Sequence, residues 1–459
     1  MSEGEPMVRA ATNHPVLEEG SRVGVVGGGP AGSFFAIFLL EMSHRAGFNV
    51  QVDIHEPRDF RQIGPQGCNM CGGIISESLV QALAVEGIKL PSDVVQRGID
   101  SYFLHMDVGS TRIETPLQEK RIAAVHRGCG PRDTKGTRYA GFDNFLLELA
   151  ISKGARRFRH RVTGLSWEGD RPTVIVPTIP SQTYDLLAIA VGVNSPALKF
   201  LDELGVGYHS PCCTKTYIRE LCLGAENIRK YLGSSMHVFL LNIPKLEFAA
   251  LIPKGDYVTL CLLGHDIDKE LIESFVSAGE VRSCLPPHWQ PPADFCHCSP
   301  KISIESAVRP YADRMVFIGD CGTTRLYKDG IGAAYRTAKA AAKTAVFEGI
   351  AAQDFQAHYA PVCASIRNDN RLGKLVFEVT RQIQERRFAR RAVWRMVSNE
   401  QRDHNSKKRM STVLWDTFTG SAPYRDVLTR TLHPAFWGRL LWEVVRGSVF
   451  TGGLGHARR

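Results

Sequence analysis

The start of the chain lacks the basic beginning and apolar core of an export signal. Its first residues are polar and mixed in charge, so residues 1–20 are read as a flexible arm and the protein as cytoplasmic. Long hydrophobic runs are scarce too. Only Val23 to Leu40 runs for about 18 positions without a charge, the length of a membrane span. Glycines and a proline interrupt it, so it reads as a buried strand and helix. The 12 cysteines lack the compact framework of a small secreted domain, and most are read as reduced and buried. Cys296-His297-Cys298 has poor spacing for a tetrahedral site, and no second pair stands at zinc spacing, so no metal is expected. No repeat, low-complexity segment or nucleic-acid recognition motif is present.

What remains is an ordinary globular composition. The 459 residues are 44% hydrophobic and 22% charged, enough for two or three domains with full cores. The net charge of +9 is uneven. The last ~100 residues hold about 19 Lys and Arg against about 8 Asp and Glu, with most of the tryptophans. Basic charge beside interfacial aromatics suggests a surface for anionic lipid or a partner.

The organising stretch is Arg22 to Gly32. A short buried strand runs into Gly27, Gly29 and Gly32 at the G-x-G-x-x-G spacing, and a helix follows over Ala31 to Met42. Gly27 permits the tight turn, Gly29 admits a pyrophosphate, and Gly32 lets helix and strand pack closely. Glu56 closes the next strand about 24 residues on, near the offset of a ribose-binding acid. A dinucleotide site follows from this context. Only one such turn is visible.

Downstream come Cys68-x-x-Cys71-Gly72-Gly73, a Phe142-Asp143-x-x-Leu146 helix, Ile252-Pro-Lys-Gly-Asp256, Ile318-Gly319-Asp320 and Asp329-Gly330-Ile331-Gly332. Together with the glycine turn, these residues resemble the FAD-dependent geranylgeranyl reductase family, within the p-hydroxybenzoate-hydroxylase-like flavoproteins. The resemblance covers about residues 20–360. It implies an α/β fold: a split Rossmann-type FAD-binding domain of glutathione-reductase type, an inserted β-rich substrate domain and a helical C-terminal region. The expected boundaries are 21–100, 121–204 and 306–352 for the FAD domain. Residues 101–120 and 205–305 would form the substrate domain, and 353–459 the basic helical region.

By position, the resemblance implies that Gly27, Gly29, Pro30, Ala31 and Gly32 line the diphosphate. Glu56 would hold the adenosine ribose, and Arg58 would lie near the adenine or diphosphate. Cys71, Gly72, Gly73 and Arg138 would adjoin the cofactor. Gly319 and Asp320 would meet the ribityl chain, and Gly330, Ile331 and Gly332 would open a helix aimed at the flavin ring, where its dipole favours negative charge. Three features depart from the pattern. Val191 stands where hydroxylases carry an Asp that serves FAD and NADPH. Arg138 is one residue further from Phe142-Asp143 than usual. Cys68 adds a second thiol to the usual single cysteine.

The expected reaction is reduction of carbon–carbon double bonds in a polyprenyl or other apolar substrate, by hydride from reduced flavin. NAD(P)H, a ferredoxin or a quinol would be the electron donor. An FAD monooxygenase or halogenase, or a non-enzymatic redox sensor or membrane scaffold, are the alternatives. Cys71 is a candidate catalytic residue. Cys68 and Cys71 read as pocket-lining thiols, a redox disulfide or buried structural thiols. Tyr327, Lys328, Asp329 and Tyr335 are candidates for proton transfer, with Asp329 also read as a helix cap. In the tail, Leu372, Val376, Val379 and Ile383 recur at helical spacing, as do Phe436, Trp437, Leu440, Leu441, Val444 and Val445. They read as a helical cap on the core, as an amphipathic membrane contact within 370–450 with Arg386, Arg387, Arg390 and Arg391 on lipid phosphates, or as a partner surface.

Overall fold

The computed structural model describes residues 14–115, 122–134, 139–290, 295–403 and 407–451. The apolar strand read after Arg22 forms at Arg22–Val26 and pairs in parallel with Gln51–His55 on one side and Leu186–Ile189 on the other. Arg156–Phe158 continues the sheet at one edge. At the other edge, Met315–Phe317 pairs in parallel with Leu186–Ile189 and carries the antiparallel Tyr311–Ala312. Val23, Val25, Val52, Ile54, Leu186 and Ala188 are all buried. Such continuous burial is what a parallel sheet covered on both faces requires.

The charge-free run that mimicked a membrane span ends in the helix Pro30–Arg45. This helix packs along the alanine-rich helix Gly330–Phe347, and Phe34 and Phe38 meet Tyr335 edge-on at 5.6 and 5.4 Å. Among the described residues no helix is long and apolar enough to cross a membrane. Residues 14–20 are not a loose arm. Pro15 accepts a hydrogen bond from Ile350 N–H, Gly20 N–H donates to Asn49, and Leu17 is buried. Residues 1–13 of the expected arm lie outside the described residues.

A second, seven-stranded sheet runs in the order His297–Cys298, Tyr217–Cys222, Tyr257–Gly264, Leu246–Lys254, Ser235–Phe239, Ser101–Met106, Gly109–Glu114. Alternation sorts its side chains. Tyr102, Leu104, Met236 and Val238 enter one core, while Phe239, Leu251 and Leu260 enter another. The basic tail forms helices Ala360–Glu385, Arg387–Arg402, Arg409–Thr419, Tyr424–Thr431 and Pro434–Thr451. Val393, Met396, Val413, Trp415 and Phe418 from these helices pack into the first of those cores, and Trp415 meets Tyr102 edge-on at 5.0 Å.

The tail's two apolar stripes are therefore divided. Leu372, Val376, Ile383, Phe436 and Leu440 pack inward, whereas Val379, Trp437, Leu441 and Val445 stay exposed. Arg390 cannot meet lipid phosphate as the sequence suggested. It is buried, with Nε 2.6 Å from Asp107 Oδ1 and Nη2 2.8 Å from Oδ2.

Candidate active site

The first strand ends in a turn that only glycine can make. Gly27 has φ +107°, and a Cβ there would lie 2.5 Å from the Ala190 carbonyl oxygen. A Cβ on Gly32 would lie 1.9 Å from the Gly27 carbonyl oxygen, so the helix approaches the turn at a distance no side chain permits. Glu56 ties this turn to the second strand: its carboxylate accepts from Gly28 N–H and Arg58 N–H, each at 2.9 Å.

Above the turn is a cavity of about 310 Å³. Gly27, Gly29, Pro30, Ala31, Glu56, Arg58, Cys71, Gly72, Gly73, Asp320, Gly330 and Ile331 all line it. Three expected residues do not. Gly32 packs beneath the turn. Gly319 is buried at φ +66° with its hypothetical Cβ 2.6 Å from Ala31 Cβ. Gly332 lies under the Asp329 carboxylate, whose Oδ1 would be 2.2 Å from a Cβ. They shape the site from below instead of touching its contents. Arg138 lies outside the described residues.

Asp320 turns its exposed surface into this cavity, and its enclosure there raises its carboxyl above the usual value. Cys68 and Cys71 are free thiols. Burial pushes Cys68 up to about 11, so it is a protonated thiol at neutral pH rather than a nucleophile. Cys71 lines the cavity and accepts from Gly73 N–H at 3.5 Å. Val191 also lies on the wall.

Arg127 escaped the sequence reading. It is buried in the cavity wall with Nε 2.5 Å from Asp143 Oδ1 and Nη2 3.0 Å from Oδ2. Burial alone would lower its pKa; the Asp143 carboxylate reverses this and raises it. Asn69 donates to the same carboxylate. A usable signal existed: Asp143 on the inward face of an apolar helix demands a cation, because an unpaired buried charge is costly.

The loop Thr324–Asp329 forms a polar corner, with Tyr327 and Asp329 both in left-handed backbone at φ 58° and 51°. Asp329 stands at the helix start but makes no side-chain cap. Its carboxylate instead accepts from Ser76 Oγ at 2.7 Å, Arg325 Nη1 at 3.3 Å and Arg336 Nη2 at 3.5 Å, which corrects the cap reading. Lys328 reaches the Thr417 carbonyl inside a cage of Phe248, Phe418 and Phe377 rings at 4.6, 5.0 and 5.7 Å. Burial, then the Arg325 charge, lowers its pKa well below that of an ordinary lysine. Tyr327 lines the cavity and is pushed up to about 12 by burial. Tyr335 does not line it; its hydroxyl donates to Glu86 at 2.8 Å.

The far end is apolar. Ile218, Met236, Phe248, Ala250, Ile252 and Leu263 come from the seven-stranded sheet, and Phe418 and Thr419 close it from the tail. Arg325 clamps this closure, with Nη1 2.5 Å from the Gly420 carbonyl and Nη2 2.8 Å from that of Ala422. Arg325 and Gly420 are 95 residues apart. No local pattern announces such a contact.

No protein-family model matches the chain, and no curated protein matches it. Solved structures do share its fold. A geranylgeranyl bacteriochlorophyll reductase-like protein from Thermoplasma acidophilum superposes with a TM-score of 0.59 at 14% identity, over 90% of this chain and 98% of that one. HpxO from Klebsiella pneumoniae, complexed with FAD and uric acid, gives 0.59 at 15% identity over 88% and 97%. A mutant of the halogenase PltM in complex with FAD gives 0.57 at 12% identity over 96% and 93%. The chain thus has the mixed α/β architecture shared by reductase-like, oxygenase and halogenase flavoproteins.

Proposed function

We propose that the chain is an FAD-dependent oxidoreductase that saturates a carbon–carbon double bond in a polyprenyl or other apolar, lipid-like substrate. The observation that carries this reading is one continuous cavity. It passes from the glycine turn, past Asp320 and the Gly330 helix start, into a pocket of aliphatic and phenyl side chains. The cavity suits a flavin dinucleotide: Gly29 and Gly330 present bare backbone along its wall, and at the polar corner between its two ends the buried Arg325 Nε has no partner among the described residues. Glu56 would hold the ribose, Arg58 and the turn the diphosphate, and Asp320 the ribityl chain.

FAD supplies a hydride when reduced, and an external donor (NAD(P)H, a ferredoxin or a quinol) restores it. The chain's own part is to exclude water, orient the alkene and deliver the second hydrogen as a proton. Lys328 suits that last task. Burial outweighs the ring faces that favour its ammonium, so its pKa is lowered and it gives up a proton more readily. The alkene carbon remote from the hydride takes the proton, and Lys328 Nζ keeps the electron pair.

The exposed ridge of the last helix supports peripheral membrane contact for loading a lipid substrate. Trp437, Leu441 and Trp442 are 47%, 59% and 63% exposed there, in a basic tail. The pocket reading is tested by titrating the flavin-loaded protein with a short prenyl alcohol and with a polar aromatic acid, following the flavin absorbance. A spectral shift that saturates with the prenyl compound alone is expected. Saturation with the aromatic acid alone would overturn the apolar-substrate reading.

A further inference from the structure

On the other side of the seven-stranded sheet, away from the cavity, three metal-ligating groups converge. His105 and His237 stand on the adjacent strands Ser101–Met106 and Ser235–Phe239, and Cys284 follows the short helix Gly279–Arg282. All three are buried. His105 Nε2 lies 2.9 Å from His237 Nδ1, and Cys284 Sγ lies 3.5 Å from the former and 3.3 Å from the latter. Among the described residues, this is the one group of three such side chains whose ligand atoms all lie within 4.8 Å of one another.

We propose that His105, His237 and Cys284 form a binding site for a thiophilic d10 metal ion, with Cu(I) favoured over Zn(II). An ion bound at about 2.0–2.1 Å to nitrogen and about 2.3 Å to sulfur separates its ligand atoms by roughly 3.3–3.7 Å. The two sulfur–nitrogen distances already approach that range, and the nitrogen pair has only to open by about half an ångström. The outer ring atoms are placed for support. His105 Nδ1 is 2.9 Å from Ser110 Oγ, and His237 Nε2 is 3.4 Å from the Leu232 carbonyl oxygen, so each ring can direct its one N–H outward and a lone pair inward. Ligation takes the neutral form of an imidazole, and both rings are buried.

Charge and coordination number decide between the ions. Binding displaces the thiol proton of Cys284, because the thiolate is the ligating form. Cu(I) with two neutral imidazoles and one thiolate gives a neutral complex, which suits a site where Phe103 stacks on both imidazoles and Phe239 on that of His105. Zn(II) would leave one net positive charge buried and would seek a fourth ligand. Soft thiolate donors select both ions over harder ones. The bound ion would tie two neighbouring strands to the Gly279–Cys284 segment.

The test uses the full-length, flavin-loaded protein, incubated anaerobically with Cu(I) or Zn(II) and then desalted. One ion per chain is expected for copper, with a higher melting temperature and an X-ray absorption edge fitted by two nitrogens and one sulfur. Cys284→Ser and His237→Gln should retain none above background, while Cys222→Ser, at an exposed thiol, should behave as the native chain. Stoichiometric zinc without copper would overturn the preference for Cu(I). Native protein that retains no more of either metal than Cys284→Ser would overturn the site, as would an absorption fit without sulfur. The spectrum of the native protein keeps the test decisive even where a variant fails to fold.

Discussion

The two ends of the cavity are built in opposite ways. The end at the first turn is walled largely by backbone: Gly27, Gly29, Gly72 and Gly330 all line it, and a side chain on Gly27 would strike the Ala190 carbonyl. The far end is made of bulky ones, Phe248 from a strand and Phe418 from a tail helix, with Lys328 held between them. At Gly27 the geometry is fixed by backbone conformation and tolerates almost no change. The second end is held by packing and can be reshaped by degrees. Solved structures that share this fold include a reductase-like protein, a monooxygenase and a halogenase.

Substitutions at the two ends should therefore differ in kind. The largest effect is expected for Gly27→Val, which puts a branched side chain at φ +107° and 2.5 Å from a carbonyl oxygen. Purified protein should lack flavin absorbance or fail to fold; a variant with full flavin content would break the contrast. Next, Asp143→Ala leaves the buried Arg127 charge unpaired, at a cost of about 3–5 kcal/mol by denaturant unfolding. A loss under about 1 kcal/mol would mean that water reaches Arg127.

At the other end, Lys328→Met should keep flavin and fold but lower turnover about 100-fold or more. The sign of its stability effect is distinctive. Folded Lys328 has a lowered pKa, so between that value and the ordinary ~10.4 the unfolded chain binds more protons than the folded one. Native stability then rises with pH across that window. Lys328→Met, lacking the penalty, should melt higher at neutral pH, and its advantage should shrink as pH climbs toward about 10.4. A variant that melts lower at every pH would show Lys328 to be a structural tie to Thr417. The smallest stability change, within about 0.5 kcal/mol, is expected for Trp437→Ala with Leu441→Ala, because both are exposed. That pair should nonetheless lose flotation with anionic liposomes. Undiminished flotation would remove the tail ridge from the account.

What the sequence disclosed came by different routes. The glycine turn could be read from its own spacing, Glu56 from its offset of about 24 residues, and Asp320 and the Gly330 helix only through the family resemblance; all of them line one cavity. Arg127 was legible only in retrospect, through the charge it owes Asp143. The tail's role was not legible. Its helical stripes showed that something apolar would be covered, yet periodicity cannot say whether by lipid or by protein. The Arg325 contacts with Gly420 and Ala422 carbonyls carry no sequence signature at either partner. The His105–His237–Cys284 cluster is equally silent, because its members are scattered along the chain and meet only after strand pairing.

The central claim is that one cavity presents an apolar alkene to a reduced flavin and an acid. It is tested most directly by a single turnover without oxygen. Protein carrying reduced FAD is mixed anaerobically with a polyprenyl substrate, the flavin spectrum is followed, and the product is weighed. The predicted result is reoxidation of the flavin in step with a product two hydrogens heavier, and slow or absent reoxidation in Lys328→Met. Flavin that stays reduced until oxygen is admitted, with a product that then gains an oxygen atom, would contradict it.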